Sequence, residues 1–122
     1  MGNTEAKTKE NFLYAIMTNK EGEVNKMLTE HPKLVNTKLI SDMTNPMCRA
    51  SYLGYQKIIT LLLSKGGDID CRSSDGRSPL MWATFRNNTK VMEYLLEMGA
   101  PIDSKDNTDS NAMDLAIIMM NY

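Results

Sequence analysis

Apolar residues beyond position 88 recur as Val91, Met92, Leu95 and Leu96, a spacing that gathers them into a single stripe on a helix. The pattern predicts a helix from about Thr89, with Gly99 as its left-handed C-cap. A shorter helix is predicted ahead of it. Ser78-Pro79 supplies an N-cap hydroxyl and a proline at the first helical position. That helix runs to about Arg86, with small residues at Ala83 and Thr84, and Asn87-Asn88 breaks it. The polar turn Ser73-Ser74-Asp75-Gly76-Arg77 leads into it. From Ile40 to Arg72 the same grammar repeats, with Gly54 between the helices and Gly66-Gly67 after them. Helices this short do not stand alone in water, so each must stack on its neighbours.

The repetition has a fixed register. Asn45-Pro46-Met47-Cys48-Arg49-Ala50 matches Ser78-Pro79-Leu80-Met81-Trp82-Ala83 at a step of 33 residues. The same step carries Leu62-Leu63 to Leu95-Leu96, Gly66 to Gly99, and Ile69-Asp70 to Ile102-Asp103. A further copy opens at Asn111-Ala112-Met113-Asp114-Leu115-Ala116. Upstream the step is 34, pairing Leu13 with Met47, Val24 with Ile58, Leu28 with Leu62, and Val35-Asn36 with Ile69-Asp70. One inserted residue near Leu39 accounts for the longer step. A chain built this way is a helical solenoid.

A 33-residue unit of turn, proline-led first helix and antiparallel second helix resembles the ankyrin repeat. The family pattern is an aspartate-rich turn with glycine, Thr-Pro-Leu-His-x-Ala-Ala, a Gly-His pair, a second helix ending Leu-Leu-Leu, and Gly-Ala-Asp-Val-Asn. Ser78-Pro79-Leu80, Leu61-Leu62-Leu63, Gly66-Gly67-Asp68-Ile69-Asp70 and Gly99-Ala100-Pro101-Ile102-Asp103 match it, and the likeness covers roughly residues 11–122. Two departures stand out. Cys48, Met81 and Asp114 occupy the histidine position, and Met43 and Asp109 replace the turn glycine in two copies. The resemblance implies an all-α ankyrin-repeat solenoid of about three and a half repeats joined by β-hairpin-like loops. The repeats are read as 10–39, 40–72, 73–105 and a half repeat 106–122, behind a disordered polar tail over residues 1–9.

Composition narrows the function. With 122 residues, 42% hydrophobic and 24% charged, the chain suits one globular domain. Fourteen basic against fifteen acidic residues leave no broad basic field for nucleic acid. No apolar run approaches a membrane span and no secretory signal opens the chain, so a cytoplasmic or nuclear location is expected. Eleven methionines against two phenylalanines point to an adaptable core or binding face. His31, the only histidine, falls at a helix end before Pro32 and has no ligand-spaced partner. Cys48 and Cys71 lack zinc-site spacing and read as buried thiols. Ser64-Lys65-Gly66-Gly67-Asp68 lacks the spaced glycine of a phosphate loop, and Asp68, Asp70 and Asp75 lack calcium-loop spacing. No catalytic residues, cofactor or metal site are expected, and the chain is not read as an enzyme.

A partner-binding surface is the remaining candidate. Tyr52 and Phe85 lie 33 residues apart, at the same place in adjacent repeats, beside Leu53 and Arg86. The resemblance implies that this place faces a concave groove, which would display Tyr52, Leu53, Phe85, Arg86, Ile118 and Met119. The adjoining loop tips would display Asp42, Thr44, Asp75, Arg77, Thr108 and Ser110. Trp82 has two readings: it seals the repeat junction against Arg49 through a cation–π contact, or it forms part of a peptide-binding wall. Aromatic residues flanked by arginine have the composition of an interaction hot spot; the alternative is that Tyr52 and Phe85 fold inward and seal the repeat junctions. The expected function is a protein–protein interaction module or scaffold that binds another protein or peptide without chemistry. The alternative is the N-terminal ankyrin segment of a larger enzyme or regulator, positioning or inhibiting a domain beyond residue 122.

Three further expectations concern modification and the chain ends. Met1-Gly2-Asn3 opens like an N-myristoylation signal on Gly2, but Ala6 stands where the motif requires Ser or Thr. Asn36, in Leu34-Val35-Asn36-Thr37, occupies the hairpin position that the resemblance implies asparaginyl hydroxylases modify, whereas later repeats carry Asp70 and Asp103; the alternative is that it only hydrogen-bonds its own hairpin turn. Ala112–Met120 reads as the first helix of a further repeat whose Ile117, Ile118, Met119 and Met120 no rotation can hide together. Either further repeats follow Tyr122, or the chain self-associates through this edge.

Overall fold

The computed structural model describes residues 3–39 and 44–120. Gly2, Asp42 and Tyr122, to which expectations attach, lie outside the described residues. Among the described residues seven α-helices follow in order: α1 (Asn3–Met17), α2 (Glu21–Glu30), α3 (Pro46–Leu53), α4 (Gln56–Ser64), α5 (Pro79–Phe85), α6 (Thr89–Glu97) and α7 (Ala112–Met120). A 3-10 turn, Pro32–Asn36, follows α2, and no strand occurs among the described residues. The first helices α1, α3, α5 and α7 pack side by side in one layer. The second helices lie against them, each on its own repeat's first helix, and α2 touches α4. This is an all-α, ankyrin-type helix–turn–helix solenoid.

The caps act where the sequence places them. Asn45 Oδ1 accepts the Cys48 N–H at 2.9 Å and Ser78 Oγ accepts the Met81 N–H at 3.3 Å, each ahead of a proline. In the last repeat a reciprocal box does the same job. Asn111 Oδ1 accepts from the Asp114 N–H at 2.9 Å while Asp114 Oδ2 accepts from the Asn111 N–H at 3.0 Å. The acid at the histidine position therefore has a structural use.

Between paired helices the chain turns through one left-handed residue each time: Asn19 at φ 57°, Gly54 at 81° and Asn87 at 53°. A Cβ at Gly54 would also displace the Asn88 side-chain amide, whose oxygen caps α6. Asp109 stands where Gly76 stands one repeat earlier and takes the same conformation, φ 66° against 79°. Aspartate tolerates that region, so the missing glycine leaves the turn intact.

Burial follows the repeat register. Val24, Ile58 and Val91 are equivalents and are all at most 1% exposed, as are Leu28, Leu62 and Leu95. Register weakens at the last repeat. Met113, the counterpart of buried Met47 and Leu80, is 60% exposed, because no second helix covers it among the described residues.

One expectation is corrected. Residues 3–9 are helical rather than a disordered tail. Phe12, Leu13 and Ile16 anchor the C-terminal half of α1 in the core, and good helix formers at Glu5, Ala6, Lys7 and Lys9 extend it outward. Lys9 Nζ lies 3.7 Å from Glu5 one turn earlier, and both residues border a cleft shared with Glu30 and His31.

Candidate binding face

A helix presents positions i, i+3 and i+4 on one side. On α3 these are Arg49, Tyr52 and Leu53, and one repeat later they are Trp82 and Phe85 on α5 with Arg86 at its C-cap. All are half-buried except Arg86, which is exposed, while the residues between them are buried. The rings form a chain. Tyr52 meets Trp82 edge-on at 5.7 Å between centroids, and Trp82 meets Phe85 at 6.1 Å. The Trp82 indole N–H donates to Ser73 Oγ at 3.1 Å, which fixes the central ring.

Guanidinium groups lie against these rings. Arg49 Cζ is 5.6 Å and Arg86 Cζ 4.7 Å from the Tyr52 centroid, and Arg77 Cζ is 5.3 Å from both Trp82 and Phe85. Trp82 joins α3 and α5 at the repeat junction, as the first of its two readings expects, with one correction. The cation over its ring is Arg77 from the preceding turn, not Arg49, which lies against Tyr52 instead. Arg49 still borders Trp82 across a cleft of about 250 Å³ lined by Thr44, Cys48, Arg49, Tyr52 and Trp82. Burial draws the Arg49 pKa below its ordinary value, against the opposing effect of Tyr52.

The loop tips divide into pieces that hold the face and pieces that border it. Arg77 lies 3.5 Å from Asp75, whose side chain is 49% exposed, and 3.6 Å from Asp106, whose side chain is 1% exposed. Asp106 Oδ1 also accepts the Thr108 hydroxyl at 2.7 Å, the Thr108 N–H at 2.8 Å and the Ser110 N–H at 3.0 Å. Burial alone would raise this carboxyl's pKa. The bonds from Ser110 and Thr108, with Arg77, overcome that and hold it below the ordinary value. Thr108 and Ser110 thus clamp a buried carboxylate. Successive turns stack as well, since Asn107 donates its N–H to Asp75 O at 3.1 Å and its side-chain amide to Ser74 O at 3.2 Å.

Leu53 packs against the core from the edge of the face. Ile118 and Met119 continue the face by register on α7, which packs beside α5, with Ile118 exposed and Met119 half-buried. Asn36 is exposed and bonds the next repeat's turn, donating to Gly66 O at 3.5 Å and accepting from the Asp68 N–H at 3.2 Å. Its partners are not in its own hairpin.

Two features escaped sequence reasoning. Asp106 is the counterpart of Ser73, and the register that pairs them was the available signal. Cys48 and Cys71 meet at a junction although 23 residues separate them, and both thiols are free. Cys71 Sγ donates to Asn45 Oδ1 at 3.1 Å. Its hydrogen bond to Cys48, followed by burial, pushes the Cys48 thiol up, so that thiol stays protonated at neutral pH.

No three His, Cys, Asp or Glu side chains converge as a metal site among the described residues. No described helix is long and apolar enough to cross a membrane. No curated protein matches the chain. The family model for ankyrin repeats, in three copies, matches residues 47–122. That match takes in α3 to α7 and the loops whose caps, turns and stacked faces are described above, so the chain belongs to the ankyrin-repeat family.

Proposed function

We propose that the protein binds a partner protein, without catalysis, through the shared face of α3, α5 and α7 and the loop tips beside it. Ankyrin repeats are in general protein–protein interaction modules. The observation that carries the reading here is the half-exposed ring chain Tyr52–Trp82–Phe85 with a guanidinium against every ring. Large rings held rigid by packing lose little entropy on binding, which is why Trp, Tyr and Arg dominate interface energetics. A Tyr52→Ala/Phe85→Ala double variant is expected to weaken a partner captured by the wild type by about 2 kcal/mol, roughly thirtyfold. Quantitative pull-down with mass spectrometry, beside thermal melts of both proteins, checks it. A partner retained in full by a folded double variant would place the binding surface elsewhere.

The exposed apolar residues of α7, which adjoin the partner face at Ile118, support self-association as a further property. On α7, Met113, Ile117, Ile118 and Met120 are 60%, 52%, 45% and 83% exposed. Apolar exposure concentrated on one helix marks an interface or an aggregation hazard. Light scattering coupled to size exclusion is expected to show mass rising with concentration, and Ile117→Lys to suppress the rise. A monomer at every concentration would end this reading.

A further inference from the structure

We infer that the ring face selects an acidic peptide segment, one that places an aspartate or glutamate beside an apolar side chain. This deepens the partner-binding reading above and rests on it. An aromatic face attracts cations when its π-surface is open. Here the surfaces are already taken. Arg86 and Arg49 lie 4.7 and 5.6 Å from the Tyr52 centroid, and Arg77 lies 5.3 Å from Trp82 and Phe85. A basic partner would meet guanidinium groups instead of rings and be repelled.

The three arginines are not equal. Arg77 is balanced by Asp75 at 3.5 Å and Asp106 at 3.6 Å, so its charge is spent within the fold. Arg86 is exposed, stacks on Tyr52, and forms no ion pair with any described residue. An exposed guanidinium held 4.7 Å from the Tyr52 centroid is within reach of an incoming carboxylate, which arginine can take with two parallel bonds. Next to Tyr52, the cleft of about 250 Å³ between Arg49, Cys48 and Trp82 offers an apolar wall for one leucine- or phenylalanine-sized side chain. An anion held at Arg86 and an apolar anchor against Trp82 are thus the two features of the partner. Asp75 borders the face, and its pairing with Arg77 limits its repulsion of an incoming carboxylate.

The test is selection from a displayed random-peptide library against the folded chain at low ionic strength. Selected peptides are then synthesised with a fluorescein label and measured by anisotropy. Trp82, the only tryptophan, reports contact with the cleft through its own emission. Enriched sequences are expected to pair Asp or Glu with Leu, Phe or another apolar residue. Arg86→Glu is expected to weaken them about tenfold or more, and a glutamine version of the peptide to weaken similarly. Lys90→Glu, the same charge change at an exposed site on α6, is expected to leave affinity within about twofold. Peptides that need Tyr52 and Phe85 but show no acidic preference, or ignore Arg86→Glu, overturn the acid selectivity and leave the binding face standing. Acidic peptides that bind the Tyr52→Ala/Phe85→Ala variant as tightly as wild type overturn the face itself. A selection that enriches no acidic peptide also defeats the inference.

Discussion

Asp106→Ala is expected to cost about 3 kcal/mol of folding stability, lowering the melting temperature by roughly 10 °C. The carboxylate is almost sealed from water, with its side chain 1% exposed, and takes bonds from two backbone N–H groups and a hydroxyl of its own turn. Removing it leaves those N–H groups without their acceptor and Arg77 without its inner counter-charge. Asp75 still faces Arg77 at 3.5 Å, which keeps the loss at the lower end for a broken buried pair. The pH dependence has a definite sign. The folded carboxyl's pKa lies below its ordinary 3.8, so the unfolded chain takes up that proton more readily. The stabilisation is therefore complete above about pH 5 and drains as pH falls through the ordinary value toward the folded one. Asp106→Asn should remove this part of the acid sensitivity. Urea titrations between pH 7 and pH 3 measure both effects, and an unchanged acid slope in Asp106→Asn would show that another carboxylate carries it.

Trp82→Ala is expected to be as severe, at about 3 kcal/mol, and to abolish partner binding as well. The indole is the middle member of the ring chain, takes the Arg77 cation at 5.3 Å and donates to Ser73 at 3.1 Å. Truncation separates Tyr52 from Phe85, opens the cleft between α3 and α5 and removes the Ser73 hydroxyl's donor. Trp82→Phe should recover most of the packing and lose only the hydrogen bond, at about 1 kcal/mol. Calorimetry of both variants separates the contributions. A loss under about 1 kcal/mol for Trp82→Ala would mean the ring rests on the surface without joining the repeats.

Much of the site was legible in the chain. Tyr52 and Phe85 share a register position, and the register alone puts them on neighbouring helices and one face. Arg49 precedes Trp82 by the same 33 residues, so it belongs to that face too. Its partner was not legible. Whether the long arginine side chain leans toward Tyr52 or Trp82 depends on rotamers and on the offset between stacked helices. The N-terminal residues misled for a different reason. Their polar composition reads as tail, yet α1 continues through Asn3 because helix propagation adds turns cheaply once Phe12 and Ile16 hold the remainder in the core.

The sequence by itself determined the succession of caps, turns, stripes and breaks, and with it the solenoid. Each of those signals acts over a few residues, as Asn45 does on Cys48 and Ser78 on Met81, and repetition at 33 residues multiplied their weight. Only the tertiary structure decided which side chains of successive repeats meet. Arg77 is brought between Trp82 and Asp106, Cys48 is set against Cys71, and Arg86 is laid over Tyr52. Apart from Arg77 and Trp82, which are near neighbours in the chain, these contacts join residues from different repeats or opposite ends of one. Their geometry follows from how far one repeat is rotated and shifted against the next, a quantity that packing of the whole core settles and no local stretch encodes.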